Sequence, residues 1–272
     1  MEITLKSGTK IPRIGLGTYP MNDAEAAENV EHAIEVGYRH FDTAENYGNE
    51  EGVGNGIRSS GIDRAEVFIT TKFNAKWHGE SEVAEAFRGS ADRLGVDHID
   101  LLLIHWPNPG QDRFVAAWRG MIGLKEQGLV RSIGVSNFKP VHLQRLIDET
   151  GVVPDVNQIQ YNPYLQRHAS AEFHARHGIV TVAWSPIGKN SELLSEQAVL
   201  GVAAETQRTP AQVVLRWHLQ LGNIAIPKSS NPERIRANIQ VFDFELTDAQ
   251  MNRIGSLDRG EGEAADSDVF GH

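Results

Sequence analysis

The sequence predicts a closed, parallel α/β barrel. An apolar strand, a polar residue at its end and an amphipathic helix recur along the chain, and roughly eight such units are the signature of this fold. The 272 residues also match the size of one barrel, and no Pro- or Ser-rich seam divides them, so we predict one domain over residues 1–272. An open doubly wound sheet is the alternative. It is disfavoured because no helix-opening glycine fingerprint follows the first strand.

The N-terminal segment precedes the repeat. Residues 2–5 and 10–14 are short β-like runs around a turn at residues 7–9, which predicts a β-hairpin. Residues 14–18 then read as the first barrel strand, and its glycines allow another backbone or a ligand to approach closely.

The repeat occupies the middle of the chain and is followed by one further helix and a loop. Apolar runs and helical periodicity give the other strands and the helices. The predicted strands are 40–42, 67–72, 99–105, 132–137, 156–160, 179–185 and 224–226, and the predicted helices are 24–36, 49–59, 80–94, 114–127, 140–149, 169–177, 198–207, 210–221, 232–240 and, outside the repeat, 246–257. The tail from Asp258 is rich in Gly, Asp and Glu and is predicted to be loop.

Composition excludes several classes of function. The formal net charge is -10 and no run of Lys or Arg stands out, which argues against nucleic-acid and anionic-membrane partners. The chain has no Cys, so disulfides and thiolate chemistry are excluded. No stretch approaches the ~20 apolar residues of a membrane span, and the N-terminus lacks a leader-like apolar run. We therefore expect a soluble, cytoplasmic protein.

Polar residues follow the predicted strands at their carboxyl ends. In a parallel barrel these ends lie on one face, so residues far apart in sequence converge there. Residues 40–56 are the richest such stretch, since Asp42 and Tyr47 share one strand-to-helix loop. The residues expected to converge are Asp42, Tyr47, Lys72, His105, Ser136, Asn137, Gln158, Trp184, Ser185 and Lys228.

Four of these residues suit proton donation to a carbonyl. A phenol with an ordinary pKa of about 10 is a poor acid, but an adjacent ammonium stabilises its anion and lowers the pKa. Lys72 would supply that charge to Tyr47, with Asp42 holding the lysine in place. His105 would donate a hydrogen bond to the substrate carbonyl. The set fits the addition of a proton to oxygen while a hydride is added to carbon.

A hydride requires a cofactor, because no side chain supplies one. Ser136, Asn137 and Gln158 carry groups that suit a carboxamide, and Trp184 offers a flat face for a ring. Residues 228–231 precede a helix that contains Arg234, which makes a natural phosphate site in an otherwise acidic protein.

Metal catalysis is the weaker idea. His98 and His105 have acidic neighbours, but alternate residues of a strand face opposite sides. His174 and His177 lie three apart on a helix and have no identifiable further ligands. We predict no metal.

Several motifs resemble those of a known family. GYRHFDTAENYGNEEGVG, FITTK, IDLLLIHWP, RSIGVSNF, VNQIQYNPY, AWSPIG and IPKSSNPERIRAN occur in this order. On these motifs the sequence resembles the aldo-keto reductases over essentially its whole length. TGVVPDVNQIQ, TPAQVVLRWHLQ and VFDFELTD are most similar to the bacterial 2,5-diketo-D-gluconic acid reductases within that family.

The resemblance implies a barrel whose N-terminal end is plugged by the hairpin and whose other end binds NADPH. It implies a monomeric enzyme that reduces aldehydes and ketones. The substrates implied include dicarbonyls and keto-sugars such as 2,5-diketo-D-gluconate. It implies a catalytic tetrad of Asp42, Tyr47, Lys72 and His105, with Tyr47 as general acid. It implies cofactor contacts from Gly17, Thr18, Asp42, Ser136, Asn137, Gln158, Trp184, Ser185, Pro186, Ile187, Gly188, Lys228, Ser229, Ser230, Arg234 and Asn238, and substrate contacts from Tyr19, Tyr47, Trp77, His105 and Trp106.

Some positions depart from the family pattern. Asn74 stands where many relatives have a pocket-lining Trp, and Trp77 is expected to compensate. Asn231 and Ala237 replace the Arg or Thr and the acid that relatives often carry, so we expect a moderate preference for NADPH over NADH. The short acidic tail is expected to leave the substrate site more open than in mammalian members of the family.

Two other classes of function stay open from the residues alone. A nucleotide-sensing subunit would keep the barrel and the cofactor but turn over little. A barrel isomerase or aldolase would use Lys72 as a base or Schiff-base former.

Overall fold

The computed structural model of the chain describes residues 1–262 and 264–272. Within them, eight parallel strands form one sheet in sequence order, and two further strands pair separately. The strands are β1 Glu2–Thr4, β2 Lys10–Pro12, β3 Leu16–Gly17, β4 His40–Asp42, β5 Phe68–Phe73, β6 Ile99–Ile104, β7 Val130–Ser136, β8 Val156–Gln160, β9 Val180–Trp184 and β10 Ile224–Ile226. The helices are α1 Asp23–Glu35, α2 Glu50–Ser59, α3 Val83–Leu94, α4 Phe114–Glu126, α5 Pro140–Thr150, α6 His168–His177, α7 Gln197–Thr206, α8 Pro210–Gln220, α9 Pro232–Ile239 and α10 Asp248–Gly255.

The sheet closes between its first and last strands. Ile14 forms a parallel bridge with Ala225, and the Gly15 amide donates to the Ala225 carbonyl at 3.0 Å. A Cβ on Gly15 would lie 2.8 Å from both His40 Nδ1 and a methyl of Ile226, so only glycine fits at this seam. The predicted barrel is confirmed, although β3 is shorter than the predicted strand 14–18 because its N-terminal part contributes a single bridge.

The hairpin β1–β2 plugs the N-terminal end of the barrel. Its strands pair antiparallel, with Ile3 opposite Ile11. Ile11 packs into an apolar cluster with inward residues of the barrel strands, including Leu101 and Ile224. The Ser7 amide donates to Asp155, which directly precedes β8, at 2.8 Å. The interior is therefore a packed core, and ligand access is left to the opposite end.

The outer helices follow the sequence signals closely. Helix α1 begins after Asn22, which forms a capping box with Glu25. Helix α10 confirms the predicted extra C-terminal helix, but it begins at Asp248 because Thr247 forms its capping box. Helix α3 begins later than the predicted residue 80, after a 3₁₀ turn at Ala75–Trp77. No helix in the described part of the chain is long and apolar enough to span a membrane.

Buried histidines make up part of the core. His40, His174 and His218 are almost completely buried, and burial lowers the pKa of each to about 4. The His174 ring is held by Thr181 at 2.8 Å and by Asn157 at 3.0 Å. These rings therefore pack as neutral polar groups.

We predict that the free energy of unfolding falls as the pH drops from 6.5 toward 4. Unfolded histidine takes up a proton near pH 6.5, whereas these folded histidines stay neutral until about pH 4. Their contribution is thus fully present above the unfolded pKa and is lost as the pH approaches the folded pKa. Urea unfolding gives the free energy of unfolding at about pH 7 and at about pH 5. The fall between these two values should be smaller in His174→Gln than in the wild type, by up to about 2 kcal/mol, because the variant lacks this histidine. An equal difference in both proteins would contradict the prediction.

Candidate active site

A cavity of about 450 Å³ opens at the carboxyl ends of the barrel strands. Most of the residues expected to converge line it, as the topology requires. Its predicted lining residues are Gly17, Thr18, Tyr19, Asp42, Tyr47, His105, Trp106, Ser136, Asn137, Gln158, Trp184, Ser185, Pro186, Ile187 and Lys228, and those not predicted are Pro20, Asn46, Lys189, Ile226 and His272.

A buried ion pair lies at the edge of this cavity. Asp42 ends β4, and Lys72 lies near the end of the neighbouring strand β5. Lys72 Nζ lies 2.6 Å from Asp42 Oδ1 and donates to the Thr43 carbonyl at 2.9 Å. The other carboxylate oxygen accepts from Gln158 Nε2 at 2.7 Å. Burial acts to lower the pKa of Lys72, but Asp42 and the Tyr47 hydroxyl together outweigh burial and the pKa is raised, so the ammonium stays charged.

Tyr47 stands against this ammonium. It ends the 3₁₀ turn Glu45–Tyr47, and Lys72 Nζ lies 3.5 Å from its hydroxyl oxygen. Burial raises the pKa of Tyr47, and the charge of Lys72 opposes that rise. The expectation of a lowered pKa is therefore wrong for this arrangement, because loss of solvent outweighs the ammonium. The phenol keeps its proton until a stronger base, such as a developing alkoxide, lies beside it.

His105 completes the polar end of the cavity. It follows β6, its amide donates to the Phe73 carbonyl at 3.1 Å, and its ring lies edge-on to that of Tyr47 with centroids 5.7 Å apart. Burial, together with the charge of Lys72 and the nearby His272, lowers the pKa of His105 well below its usual value. The neutral imidazole can donate a hydrogen bond, but it is not an acid at neutral pH. A carbonyl oxygen placed between Tyr47 and His105 would meet two donors.

A chain of hydrogen bonds fixes the opposite wall. Trp184 Nε1 donates to Asn137 Oδ1 at 2.9 Å. Asn137 Nδ2 donates in turn to Ser136 Oγ at 3.0 Å and to the His105 carbonyl at 3.1 Å. Ser136 Oγ donates to the Gln158 carbonyl at 2.9 Å. The indole ring is therefore held in one orientation at the cavity, where a planar ring can stack on it.

Cations collect where β10 leads into α9. Lys228 lines the cavity and its Nζ lies 2.8 Å from Ser230 Oγ. Arg234 is exposed, and its guanidinium forms no ion pair with any residue in the described part of the chain. Asn231 caps the helix by accepting from the Arg234 amide at 3.0 Å. Five of the predicted cofactor contacts lie outside the cavity lining, and these are Gly188, Ser229, Ser230, Arg234 and Asn238.

Trp77 does not line the cavity, contrary to the expectation that it replaces the missing pocket tryptophan. Its indole Nε1 donates to both carboxylate oxygens of Glu45 at 3.0 Å. Lys76 pairs with the same carboxylate at 2.6 Å. Glu45 therefore connects the 3₁₀ turn Ala75–Trp77 to the turn that carries Tyr47. The Trp77 indole binds Glu45 and does not line the cavity.

The tail reaches the cavity mouth, where His272 lines the cavity. The expected greater openness of the substrate site stays a prediction. A main-chain oxygen of His272 accepts from the Ala75 amide at 3.0 Å, and the His272 ring lies 5.0 Å from that of His105, centroid to centroid. This contact could not be predicted, because no local sequence pattern relates residues so far apart. No group of three or more potential ligands among the described residues is arranged to hold a metal.

Comparison with known proteins agrees with the fold. Residues 13–259 match the model of the Aldo/keto reductase family. The chain is 50% identical to 2,5-diketo-D-gluconic acid reductase B of Corynebacterium sp. (strain SHS752001), over 95% of this chain and 93% of that protein. It is 46% identical to methylglyoxal reductase DkgA of Yersinia pestis, over 99% and 97%. The crystal structure of a Gox0644 mutant in complex with NADPH has a TM-score of 0.95 and 44% identity, and the match covers 100% of this chain and 99% of that one.

The barrel fold and these comparisons define an oxidoreductase. The chain belongs to the aldo/keto reductase family. The resemblance read from its motifs is therefore confirmed.

We predict that Lys72→Met lowers the free energy of unfolding by about 3–5 kcal/mol, because it leaves Asp42 charged and buried without its partner. Lys76→Met is the matched control. Lys76 also pairs with a carboxylate at 2.6 Å, but its side chain is 61% exposed, so its loss should cost less than about 1 kcal/mol. Urea unfolding at neutral pH measures both changes. Equal losses would show that burial of the Lys72 pair carries no special weight.

Proposed function

We propose that this protein reduces aldehydes and ketones to alcohols with NADPH, and that Tyr47 is the general acid. The observation that carries the proposal is the buried Asp42–Lys72 pair set behind Tyr47, with neutral His105 beside it at one cavity. In this arrangement Tyr47 can supply a proton, and His105 can donate a hydrogen bond that orients a carbonyl. It contains no electron source, so the two-electron reduction requires a bound cofactor.

The residues of the cavity suit NADPH. The fixed face of Trp184 offers a stacking surface, and Ser136, Asn137 and Gln158 present hydroxyl and amide groups beside it. Lys228 and Arg234 would hold phosphate groups, because they are cations without carboxylate partners among the described residues. When bound, the cofactor supplies a hydride. The Gox0644 mutant, 44% identical to this chain, was crystallised with NADPH, which supports the same cofactor here.

Each of the four residues would have a separate role in the reduction of the carbonyl. His105 donates to the carbonyl oxygen and orients it. As negative charge develops on that oxygen, the Tyr47 hydroxyl transfers its proton to it. Lys72 lies 3.5 Å from the hydroxyl and stabilises the phenolate left behind. Asp42 keeps the ammonium in position at 2.6 Å.

The substrates we propose are small dicarbonyls and keto-sugars. The named relatives are a 2,5-diketo-D-gluconic acid reductase and a methylglyoxal reductase, and Tyr47 and His105 line the same cavity as the residues proposed for the cofactor. A Schiff base on Lys72 is disfavoured, because its amine is fully buried, paired with Asp42 and absent from the cavity lining. Action as a monomer in the cytoplasm stays a prediction.

We predict that Tyr47→Phe lowers kcat about 10²–10⁴-fold while NADPH still binds, because the variant loses only the general acid. Loss of reduced-nicotinamide absorbance with aldehydes, α-dicarbonyls and keto-sugars gives the rate, and protein fluorescence gives cofactor binding. Tyr164→Phe is the control, since its hydroxyl donates to Glu196 outside the cavity lining. Wild-type turnover in Tyr47→Phe would overturn the assignment of the acid. Binding of NADPH by wild type without any turnover would favour a nucleotide sensor instead.

We also predict that Arg234→Ala weakens NADPH binding about 10–100-fold and NADH binding much less, because a charged contact to the extra phosphate is lost. Arg236→Ala is the matched control on the same helix. Arg236 is also exposed, but it lines a separate surface pocket with His32. Dissociation constants for both cofactors test the prediction. Equal weakening of NADPH and NADH would show that Arg234 does not read the 2'-phosphate.

A further inference from the structure

The end of the chain forms a strap, residues 266–272, across the cavity mouth. Lys139 Nζ lies 2.5 Å from Asp266 Oδ1 and 2.6 Å from Asp268 Oδ2, and His142 Nε2 lies 3.0 Å from Asp268 Oδ1. These two basic residues stand at the start of α5, which follows β7. The other end of the strap is bound to the segment after β5, so the strap passes over the end of the intervening strand β6.

Aromatic contacts hold the strap against the residues that follow β6. The ring of Phe270 lies edge-on to Trp106, with centroids 4.7 Å apart. The ring of His272 lies edge-on to His105, with centroids 5.0 Å apart. The strap therefore places a second imidazole in the cavity wall, next to the one that faces the carbonyl.

The hydrogen bonds of His272 leave one ring nitrogen, Nδ1, free to donate. Asn46 Nδ2 lies 2.5 Å from His272 Nε2, and an amide nitrogen only donates, so Nε2 is the acceptor. His272 is exposed, and the partial burial of its ring lowers its pKa below the usual value, which favours the neutral ring. A neutral imidazole whose Nε2 accepts carries its proton on Nδ1. Among the described residues, no hydrogen bond from Nδ1 is found.

We infer that His272 is a specificity-determining residue whose Nδ1–H donates to an oxygen on the carbon next to the carbonyl being reduced. Two imidazoles 5.0 Å apart, each with a hydrogen bond of about 2.9 Å, can converge on two neighbouring oxygens of one substrate. His105 takes the reacting oxygen and His272 takes its neighbour. This favours α-oxygenated carbonyls over simple aldehydes, and it rests on the proposed function because it concerns binding in the same reaction.

The test compares kcat/KM for phenylglyoxal with kcat/KM for phenylacetaldehyde, which has CH₂ in place of the second carbonyl. In His272→Phe, which keeps a ring but removes the donor, the phenylglyoxal-to-phenylacetaldehyde ratio should fall about tenfold. His272→Asn keeps a donor close to the position of Nδ1 and should retain most of the ratio. Lys139→Met releases the strap from both aspartates and should lower the ratio as His272→Phe does.

Val269→Ala is the control within the strap, because Val269 is 86% exposed and should leave the ratio unchanged. An unchanged ratio in His272→Phe overturns the inference. Equal falls in His272→Phe and His272→Asn overturn it as well, because ring shape and not the donor would then set the preference. Failure of the proposed function is distinct from both outcomes, since the wild type would then reduce neither compound.

Discussion

The site depends on the ion pair between Lys72 and Asp42. Removing two charges from water is costly, and the cost is offset only where each charge keeps good partners. Here the ammonium meets a carboxylate oxygen and a backbone carbonyl, while the second carboxylate oxygen accepts from Gln158. These contacts join β4, β5 and β8 across the barrel. Burial keeps Tyr47 protonated and His105 neutral, while the charge of Lys72 opposes the rise in the Tyr47 pKa and adds to the fall in the His105 pKa.

Closure of the barrel is what brings these groups together. The seam between Ile14 and Ala225 turns an ordered sheet into a ring, and the hairpin fills the end opposite the site. Every strand then delivers its last residue to one face. A second network runs from Trp184 through Asn137 to the His105 carbonyl. It connects the wall proposed for the cofactor with the residue proposed for the substrate, so the two sites share one rigid frame.

Sequence reasoning predicted the barrel and the converging strand ends because both follow from local periodicity and one topological rule. The same rule placed Asp42, Tyr47 and His105 at one cavity. It failed where contacts depend on long-range packing. Trp77 was misplaced because Glu45 binds its indole, and His272 was missed because nothing near it in sequence signals a contact with His105. The direction of the Tyr47 pKa shift was wrong because burial cannot be read from residue identity alone.

The anchoring of the strap makes its position sensitive to the solvent. Asp266 and Asp268 are 55% and 48% exposed where they meet Lys139, and the Debye length shrinks from about 10 Å at 0.1 M salt to about 3 Å at 1 M. The Asp42–Lys72 pair, in contrast, is shielded from mobile ions by its burial. Ionic strength would therefore act on the two parts of the site unequally, loosening the element that reads the substrate while leaving the element that delivers the proton intact.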